Sequence, residues 1–318
     1  MNRSPCALLV TLMLTFLAAD ALAARCLFIS SYHRDYEWNF GEEEGMEAEL
    51  VGKCELRKFY LDTLRHPEPE YAQRKAIEAK AVIEDYKPDV VIAADDAASK
   101  YVIMPYYRDA ALPFVFCGIN WSAEQYGFPY KNVTGMIEIS PTKSLLDQAQ
   151  AILGRIDKAV FLSADTPTQR KEFEYVWKVF TQMGITLTPV YVRTLQDWKT
   201  EYKKAQQADL VYLSNATGIS DWNIGNAAEF VAEHGRRLTV STYEALAATA
   251  MLSMTKIPQE QGEWAAKVAL DILRGAKAGD IPIVANRRSN VYITPKLVQK
   301  AGIKLPPSII HKAIKLGN

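Results

Sequence analysis

Two adjacent carboxylates follow an apolar run in the first third of the sequence, where Val90–Ser99 reads VVIAADDAAS. Paired acids can cap a helix, anchor a cationic ligand, coordinate a metal or hydrolyse a bond. Hydrolysis needs two acids that face one bond across a gap, whereas Asp95 and Asp96 are adjacent and point to opposite sides of an extended chain. A metal site needs further ligands, and the four histidines are scattered without ligand spacing. The pair therefore favours capping and ligand anchoring over metal binding or catalysis.

The two acids are expected to have different roles. Asp96 immediately precedes a helix that is predicted to begin at Ala97, so its carboxylate is expected to be the N-cap that accepts backbone N–H bonds. Asp95 points the other way, toward the mouth of the sheet, and is the candidate anchor for a ligand ammonium. The alternative for Asp95 is a solvated loop acid that binds no ligand.

Apolar strands alternate with amphipathic helices on both sides of these acids. The predicted strands of the first half are Cys26–Ser31, Leu56–Leu61, Asp89–Ala94 and Leu112–Cys117, and the predicted helices are Gly41–Val51, Ala72–Tyr86 and Ala97–Tyr107. Continuous apolar strands separated by helices are typical of a parallel sheet that is covered on both faces. The same alternation restarts with a helix Pro141–Leu153. The sequence therefore predicts an α/β fold of two Rossmann-like lobes with parallel sheets.

The boundaries of the two lobes follow from where the alternation restarts. Residues 24–136 are predicted to form lobe 1, and residues 137–259 are predicted to form lobe 2. An extended crossover, Val133–Ser140, is predicted to join them as part of a hinge. The tail, from about residue 260 to residue 318, contains a helix Glu260–Arg274 and an extended Ile281–Ile293, and we expect it to cross back and pack onto lobe 1.

Polar and aromatic side chains gather at the carboxyl ends of the predicted strands. Ligands of open α/β sheets bind just beyond these strand ends, so the residues there are the candidate ligand contacts. They are Ser31, Tyr32, Trp38, Asp95, Asp96, Asn120, Trp121 and Glu138 in lobe 1, and Asp165, Thr166, Asn215, Tyr243 and Glu244 in lobe 2. Such a mixture suits a small polar ligand with an apolar or cationic part. A single aromatic residue more often packs in a core, but several around one cleft can form a stacking surface, to which Tyr36 and Trp222 would also belong.

The N-terminus and the charge balance indicate the compartment and the class of partner. Residues 1–23 combine Arg3, an apolar stretch Ala7–Ala19 and the small-residue pattern Ala21-Leu22-Ala23, which predicts a cleaved secretory signal peptide and a periplasmic protein. The full chain has 37 basic and 37 acidic residues. Because no block of Lys or Arg interrupts this neutral composition, nucleic acid and anionic membranes are not expected as partners.

The cysteines of the mature chain are odd in number. Removal of the signal peptide leaves Cys26, Cys54 and Cys117, and an oxidising compartment then predicts one disulfide and one free thiol. Cys26 and Cys54 open two runs that are expected to be neighbouring parallel strands, so they are predicted to be bonded. Cys117 lies in an apolar run and is expected to be an inert buried thiol, because no histidine is placed to activate it.

The sequence resembles a known family over almost the whole mature chain, and three stretches show this most clearly. They are Lys131–Glu138 (KNVTGMIE), Lys87–Ala98 (KPDVVIAADDAA) and Glu263–Ser308, which contains WAAKVALDILRGAKAGDIPIVANRRSNVYITPKLVQKAGIKLPPS. On these residues the chain resembles the uncharacterised substrate-binding proteins of ABC transporters, a branch of the type I periplasmic binding proteins. This sequence departs from the family pattern at two places. Many relatives have a small residue where this chain has Asp95, and the first loop, SYHRDYEW, is longer and more aromatic than theirs.

The resemblance implies a monomeric, hinged carrier that closes two lobes around a small ligand and passes it to an ABC permease. Relatives often hold amino acids, including aromatic ones. For such a ligand, we expect the ammonium to meet Asp95, Glu138 or Glu244, and the carboxylate to lie at a helix N-terminus near Ala97 or Thr166. The ligand's side chain would stack on Trp38, Trp121 or Tyr243. Neither a cofactor nor a metal is expected.

Three other functions stay open at this stage. The same closure can be sensed by a histidine kinase or chemoreceptor instead of a permease. A secreted enzyme on this scaffold would need a nucleophile and a base in the cleft, and the sequence shows no serine nucleophile elbow, phosphate-binding glycine loop or clustered zinc ligands. A structural adhesin would not need two lobes lined with aromatic residues.

Overall fold

The computed structural model describes residues 24–317, which form two α/β lobes. The predicted signal peptide, residues 1–23, lies outside the described residues. The strands are β1 (Arg25–Ser30), β2 (Glu55–Tyr60), β3 (Val90–Ala94), β4 (Phe114–Asn120), β5 (Val133–Glu138), β6 (Lys158–Ala164), β7 (Thr186–Val192), β8 (Leu210–Leu213), β9 (Leu238–Ser241), β10 (Leu252–Thr255), β11 (Val284–Ala285), β12 (Asn290–Ile293) and β13 (Ile314–Lys315).

The α-helices lie between these strands and cover both sheets. They are α1 (Glu37–Leu50), α2 (Pro69–Tyr86), α3 (Asp95–Ala98), α4 (Met104–Tyr106), α5 (Thr142–Leu153), α6 (Pro167–Gln182), α7 (Leu195–Ala205), α8 (Ile224–His234), α9 (Pro258–Leu273), α10 (Pro295–Ala301) and α11 (Pro307–Lys312). A π-helical turn, Ser99–Ile103, joins α3 to α4. Single 3₁₀ turns lie at Ala123–Tyr126, Glu244–Thr249 and Ala278–Asp280.

Each lobe is built on one sheet. Lobe 1 has six strands in the order β11-β5-β4-β3-β1-β2, all parallel. Lobe 2 has seven strands in the order β13-β12-β10-β9-β8-β6-β7. Strands β6 to β10 are parallel to one another, whereas β12 pairs antiparallel with β10. Because β13 pairs parallel with β12, these last two strands run in the opposite direction. The prediction of two α/β lobes with mostly parallel sheets is therefore confirmed, with one antiparallel pair that the sequence pattern did not indicate.

Burial on both faces explains why the central strands of lobe 1 are continuously apolar. Every residue of β3 is buried, and its side chains alternate between two cores. Val91 and Ala93 pack in the core on one face of the sheet, whereas Val90 and Ile92 pack in the core on the other. β3 ends at Ala94, and the next residue, Asp95, therefore lies at the carboxyl edge of the sheet.

The chain passes between the lobes three times within residues 24–317. The first passage follows β5, the second joins β10 to α9 through Lys256, and the third joins β11 to β12. The segment Val133–Ser140, which the sequence predicts to be an extended crossover, is mostly β5, which pairs with β4 in the sheet of lobe 1 before the chain passes to lobe 2. The tail is divided: α9 packs on α1, β3 and β4 of lobe 1, whereas β12 and β13 complete the sheet of lobe 2.

The cysteines are arranged as the sequence predicts. Cys26 and Cys54 form a disulfide with a Cα–Cα distance of 5.9 Å, and Cys117 is a buried free thiol in β4. The disulfide lies where β1 and β2 begin side by side. It closes a loop of sequence separation 28, for which the chain-entropy argument gives a stabilisation of about 3–4 kcal/mol.

Candidate ligand-binding cleft

A cavity of about 540 Å³ lies between the two lobes at the carboxyl ends of their strands. Cavities of this size are typical of small-molecule sites. Its wall contains many of the residues that the sequence proposes: Tyr32, Trp38, Asp95, Asn120, Trp121, Glu138, Asn215, Tyr243 and Glu244. The sequence did not propose Glu37, Ser140, Thr168, Gln169, Glu172, Thr242, Ala245, Thr255, Lys256 and Pro258, which complete the wall together with Tyr36.

Asp95 stands at the floor of this cavity without a protein partner. It is the first residue of α3, has a left-handed backbone (φ 66°) and is only 2% exposed. Its Oδ2 atom is buried and accepts no hydrogen bond from the residues that the structure describes. Burial, together with the nearby Glu42 and Glu138, raises the pKa of Asp95 well above its usual value. Such a carboxyl group is costly to the protein, because no donor of the described chain compensates its buried oxygen.

The predicted N-cap role of Asp96 is wrong, because α3 begins at Asp95, two residues earlier than expected, so that Asp96 lies inside the helix. The carboxylate of Asp96 instead accepts hydrogen bonds from Asn120 Nδ2 at 2.8 Å and from the Tyr126 hydroxyl at 2.6 Å. The hydroxyl of Ser31 accepts the hydrogen bond of the Ala98 N–H in the first turn, at 2.8 Å. Ser31 and Asp96 therefore lie outside the cavity wall, where they hold α3 and Asn120 in position.

Asp165 and Thr166 also lie outside the cavity wall, because lobe 2 engages them locally. Asp165 is bound by Arg170 at 2.5 Å and by Arg193 at 2.8 Å, and these hydrogen bonds lower its pKa. Arg193, which directly follows β7, is thereby engaged within lobe 2. Thr166 caps α6 by accepting a hydrogen bond from the Gln169 N–H at 3.2 Å.

Lys256 is the main site residue that the sequence analysis missed. It lies on the second passage between the lobes, where its ammonium forms a buried ion pair with Glu138 and lies 5.3 Å from the centre of the Trp38 ring. Burial lowers the pKa of Lys256, but attraction to Glu138 outweighs this effect and the net shift is upward. The signal was present: Lys256 follows the short strand β10, which was not recognised.

The architecture and the sequence agree on a family. Residues 68–316 match the family described as "ABC transporter substrate binding protein". The chain belongs to this family. No curated protein sequence matches it, so the detailed comparison rests on solved structures.

Solved structures that share little sequence identity with this substrate-binding protein have the same type I periplasmic-binding fold. One is the ligand-free, open form of a substrate binding protein with adhesive properties from Clostridium difficile (TM-score 0.72, 10% identity, 93% of this chain and 100% of that chain). Another is the ABC domain in complex with L-Trp from Streptococcus pneumonia (0.61, 14%, 92% and 99%). A third is the leucine binding protein LivK from Thermotoga maritima (0.55, 13%, 87% and 87%).

The described residues of this substrate-binding protein were compared with the requirements of a metal site and of a membrane-spanning helix. No group of His, Cys, Asp and Glu side chains within residues 24–317 is arranged to hold a metal ion. In the same range, no helix combines the length and the apolar character that a membrane crossing requires. The family is one of extracytoplasmic solute-binding components of ABC transporters.

Trp121 of this substrate-binding protein connects the two lobes. Its ring stacks on Tyr175 of α6, with centroids 5.3 Å apart and planes 9° from parallel. Its indole N–H donates to Glu172 at 2.6 Å, and the Lys171 ammonium lies 4.5 Å from the ring centre. Trp121 therefore fastens lobe 1 to lobe 2 at the edge of the cavity. Trp222, by contrast, packs against Trp198 in the core of lobe 2 and does not reach the cleft.

Replacing Trp121 by alanine is expected to favour separation of the lobes. The variant loses an aromatic stack and a hydrogen bond to a buried carboxylate, which together contribute about 2–4 kcal/mol to the arrangement in which the lobes touch. Small-angle X-ray scattering of the ligand-free variant should give a larger radius of gyration than wild type. Trp121→Phe keeps the stack but loses the N–H donor, so its radius of gyration should lie between the two; a value for Trp121→Ala equal to that of wild type would contradict the fastening role.

Proposed function

We propose that this substrate-binding protein captures a small organic cation, an amine or amino acid with an apolar or aromatic body, and delivers it to an ABC permease. The observation that carries the proposal is Asp95, a buried carboxyl group on the cavity wall that accepts no hydrogen bond within the described chain. A ligand ammonium would supply both the charge and the donor that this group lacks.

The charge of the cavity wall supports a cationic ligand. Its acids are Glu37, Asp95, Glu138, Glu172 and Glu244, whereas Lys256 is its one Lys or Arg. That ammonium is already bound to Glu138, so it does not neutralise Asp95. A wall of one sign concentrates ligands of the opposite sign, because the low-dielectric surroundings strengthen its potential. An anionic ligand would have to approach unpaired carboxylates.

Aromatic rings and a helix end provide contacts for the remainder of the ligand. The rings of Tyr32, Tyr36, Trp38 and Tyr243 line the cavity and offer apolar faces to a carbon skeleton. Thr168 stands in the first turn of α6, where backbone N–H groups have no partner within the helix. A carboxylate of an amino acid would bind there, which places its two charged groups on opposite lobes.

Enzymatic turnover is disfavoured by the content of the wall. Among the residues around the cavity, the structure shows neither histidine nor cysteine. Cys117 is buried in β4, and burial raises the pKa of its thiol well above the usual value. The wall therefore offers neither a cysteine nucleophile nor a histidine base, and its Ser140 hydroxyl donates to Glu172, which Trp121 also engages. The family supports delivery of an intact ligand, and in our proposal one copy of the chain, acting as a monomer, carries it through the periplasm.

A screen with paired probes tests the proposal. Tryptamine and tryptophol have nearly the same shape, but only tryptamine carries an ammonium. We expect tryptamine or another member of a set of aromatic and aliphatic amines and amino acids to raise the melting temperature, and their neutral alcohols to raise it much less. Native mass spectrometry of the protein as purified should show a bound mass consistent with an amine. Because the ligand charge is the variable, equal responses to amines and alcohols, or a response only to anions, would contradict the proposal.

Asp165→Asn is the matched control for this screen. Asp165 is an acid at a strand end like Asp95, but it lies outside the cavity in contact with Arg170 and Arg193. Its replacement should leave the ligand-induced shift in melting temperature unchanged, even if it alters the starting value. A lost shift in this variant would mean that the charge of the whole edge, and not the cavity wall, determines binding.

A further inference from the structure

A second carboxyl group lies beside Asp95 and is not on the cavity wall. Glu42 of α1 is fully buried, and its Oε1 atom accepts a hydrogen bond from the Trp38 indole N–H at 3.1 Å. Gly118 lies between these two side chains. A Cβ at this glycine would lie 2.7 Å from Asp95 Oδ1 and also 2.7 Å from Glu42 Oε1. The two carboxyl groups therefore face one point, and the missing side chain at Gly118 leaves them room to meet.

Each of the two groups has one buried oxygen without a partner. Asp95 Oδ2 and Glu42 Oε2 accept no hydrogen bond from any residue between 24 and 317. Two ionised carboxylates so close together and so deeply buried would repel each other strongly. Burial raises the pKa of both groups well above the usual values, with repulsion from Glu42 adding to the shift of Asp95 and repulsion from Glu138 adding to that of Glu42. Carboxyl groups in such a pair hold one proton between them over a wide range of pH.

The surroundings distinguish the two members. The titratable groups that act on the pair are Glu138, Asp96, Glu43, Lys256, Tyr32, Tyr36 and Cys117. Of these, the cation Lys256 favours the ionised form of Asp95. The ionised form of Glu42 is favoured only by a neutral donor, the Trp38 N–H, and is opposed by the charges of Glu138 and Glu43. Asp95 also lines the cavity, and Glu42 does not. The charge should therefore lie on Asp95 and the proton on Glu42.

We propose that Glu42 and Asp95 form a single proton-sharing subsite, in which protonated Glu42 holds ionised Asp95 ready for an ammonium that carries N–H donors. The inference rests on the proposed function and deepens it, because it selects primary and secondary amines over quaternary ones. A quaternary ammonium has the same charge but no N–H, so it would leave the unpartnered oxygens of the subsite without a donor. Glu42 is a positioning residue that acts on the ligand through Asp95.

Infrared spectroscopy of the empty protein tests the proton on Glu42 without any ligand. Glu42→Gln keeps an acceptor for the Trp38 N–H and replaces the carboxyl O–H with amide N–H donors. The wild-type-minus-Glu42→Gln difference spectrum at neutral pH should contain the C=O band of a protonated carboxylic acid. If that spectrum shows only the loss of an ionised carboxylate, Glu42 is charged and the inference is overturned, whatever the protein binds.

Binding of tryptamine and its N,N,N-trimethyl derivative tests the role of the subsite. Wild type and Glu42→Gln should bind tryptamine with affinities within about 3-fold of each other, and Glu42→Leu, which has no donor, should bind it at least about 10-fold more weakly. The trimethyl derivative should bind all three proteins weakly. Equal tryptamine affinity in Glu42→Leu, or equal affinity of wild type for both probes, would overturn the inference. Failure of every amine to bind would instead contradict the proposed function, and the infrared result would still decide where the proton lies. Circular dichroism checks that each variant is folded.

Discussion

Replacing Lys256 by methionine should lower the free energy of unfolding by about 3–5 kcal/mol at neutral pH, as for other broken buried ion pairs. The side chain of Glu138 is only 7% exposed and faces Lys256. Without the ammonium, Glu138 is left as a buried charge close to Asp95, and the charged residues that remain on the cavity wall are all acidic. Methionine preserves much of the volume against Trp38, so lost packing contributes little. Chemical denaturation of the ligand-free proteins measures the difference.

The loss of unfolding free energy caused by Lys256→Met should become smaller as the pH falls. Burial raises the pKa of Glu138 even while Lys256 opposes the shift, so removal of Lys256 raises it further. Between the ordinary pKa of a glutamate and this raised value, the folded variant binds a proton that the unfolded chain does not. Stability therefore decreases as pH rises through this interval, and acidification toward the ordinary pKa restores part of it.

The double variant Lys256→Met/Glu138→Gln is the control. It removes both charges, so its unfolding free energy should return close to that of wild type. The extra pH dependence seen in Lys256→Met should also largely disappear. A double variant no more stable than Lys256→Met would show that the methionine itself disrupts packing. That result would contradict the ion-pair explanation.

The fold was predictable because burial leaves a periodic pattern. β3 is apolar throughout since both faces of the sheet are covered, and the helix predicted at Ala72–Tyr86 corresponds to α2 (Pro69–Tyr86). The strand β10 was not predicted, because its four residues are too few to show a periodic pattern. Once β10 was missed, Lys256 had no strand end to mark it as part of the site.

The partners of the site residues could not be predicted, because they come from distant parts of the sequence. Trp121 meets Glu172 across 51 positions, and Lys256 meets Glu138 across 118. The Asp96 error was local but had a similar origin. A left-handed backbone at Asp95 starts the helix early, and Asn120 and Tyr126 then bind the carboxylate that was expected to cap it. Strand ends indicated where the cleft lies but not which acid is unpaired.

Replacing Asp95 by asparagine should abolish the response to amines and stabilise the empty protein. The ammonium loses its counter-charge, so the amine-induced rise in melting temperature should disappear. The ligand-free variant no longer buries the negative charge of Asp95, which should raise its unfolding free energy by about 1–3 kcal/mol at neutral pH. Asparagine also tolerates the left-handed backbone of this position (φ 66°). Thermal and chemical unfolding with and without tryptamine measure both effects.

The stability gained in Asp95→Asn should depend on pH with a defined sign. The raised pKa of Asp95 means that folded wild type takes up a proton at pH values where the unfolded chain is ionised. Wild-type stability is therefore greatest near the ordinary aspartate pKa and falls as the pH rises toward the raised value. The asparagine variant lacks this fall, so its advantage should grow between mildly acidic and neutral pH and vanish in acid.

Asp96→Asn, one residue along, is the matched control with the opposite sign. Asp96 is bound by Asn120 and by the Tyr126 hydroxyl, so loss of its charge weakens two existing hydrogen bonds and should destabilise the protein by about 1–2 kcal/mol. Adjacent and chemically identical acids should thus respond in opposite directions, because one is satisfied within the protein and the other is held for a ligand. If Asp95→Asn destabilised the empty protein as Asp96→Asn does, Asp95 would be a structural acid and the assignment of the ammonium site to it would fail.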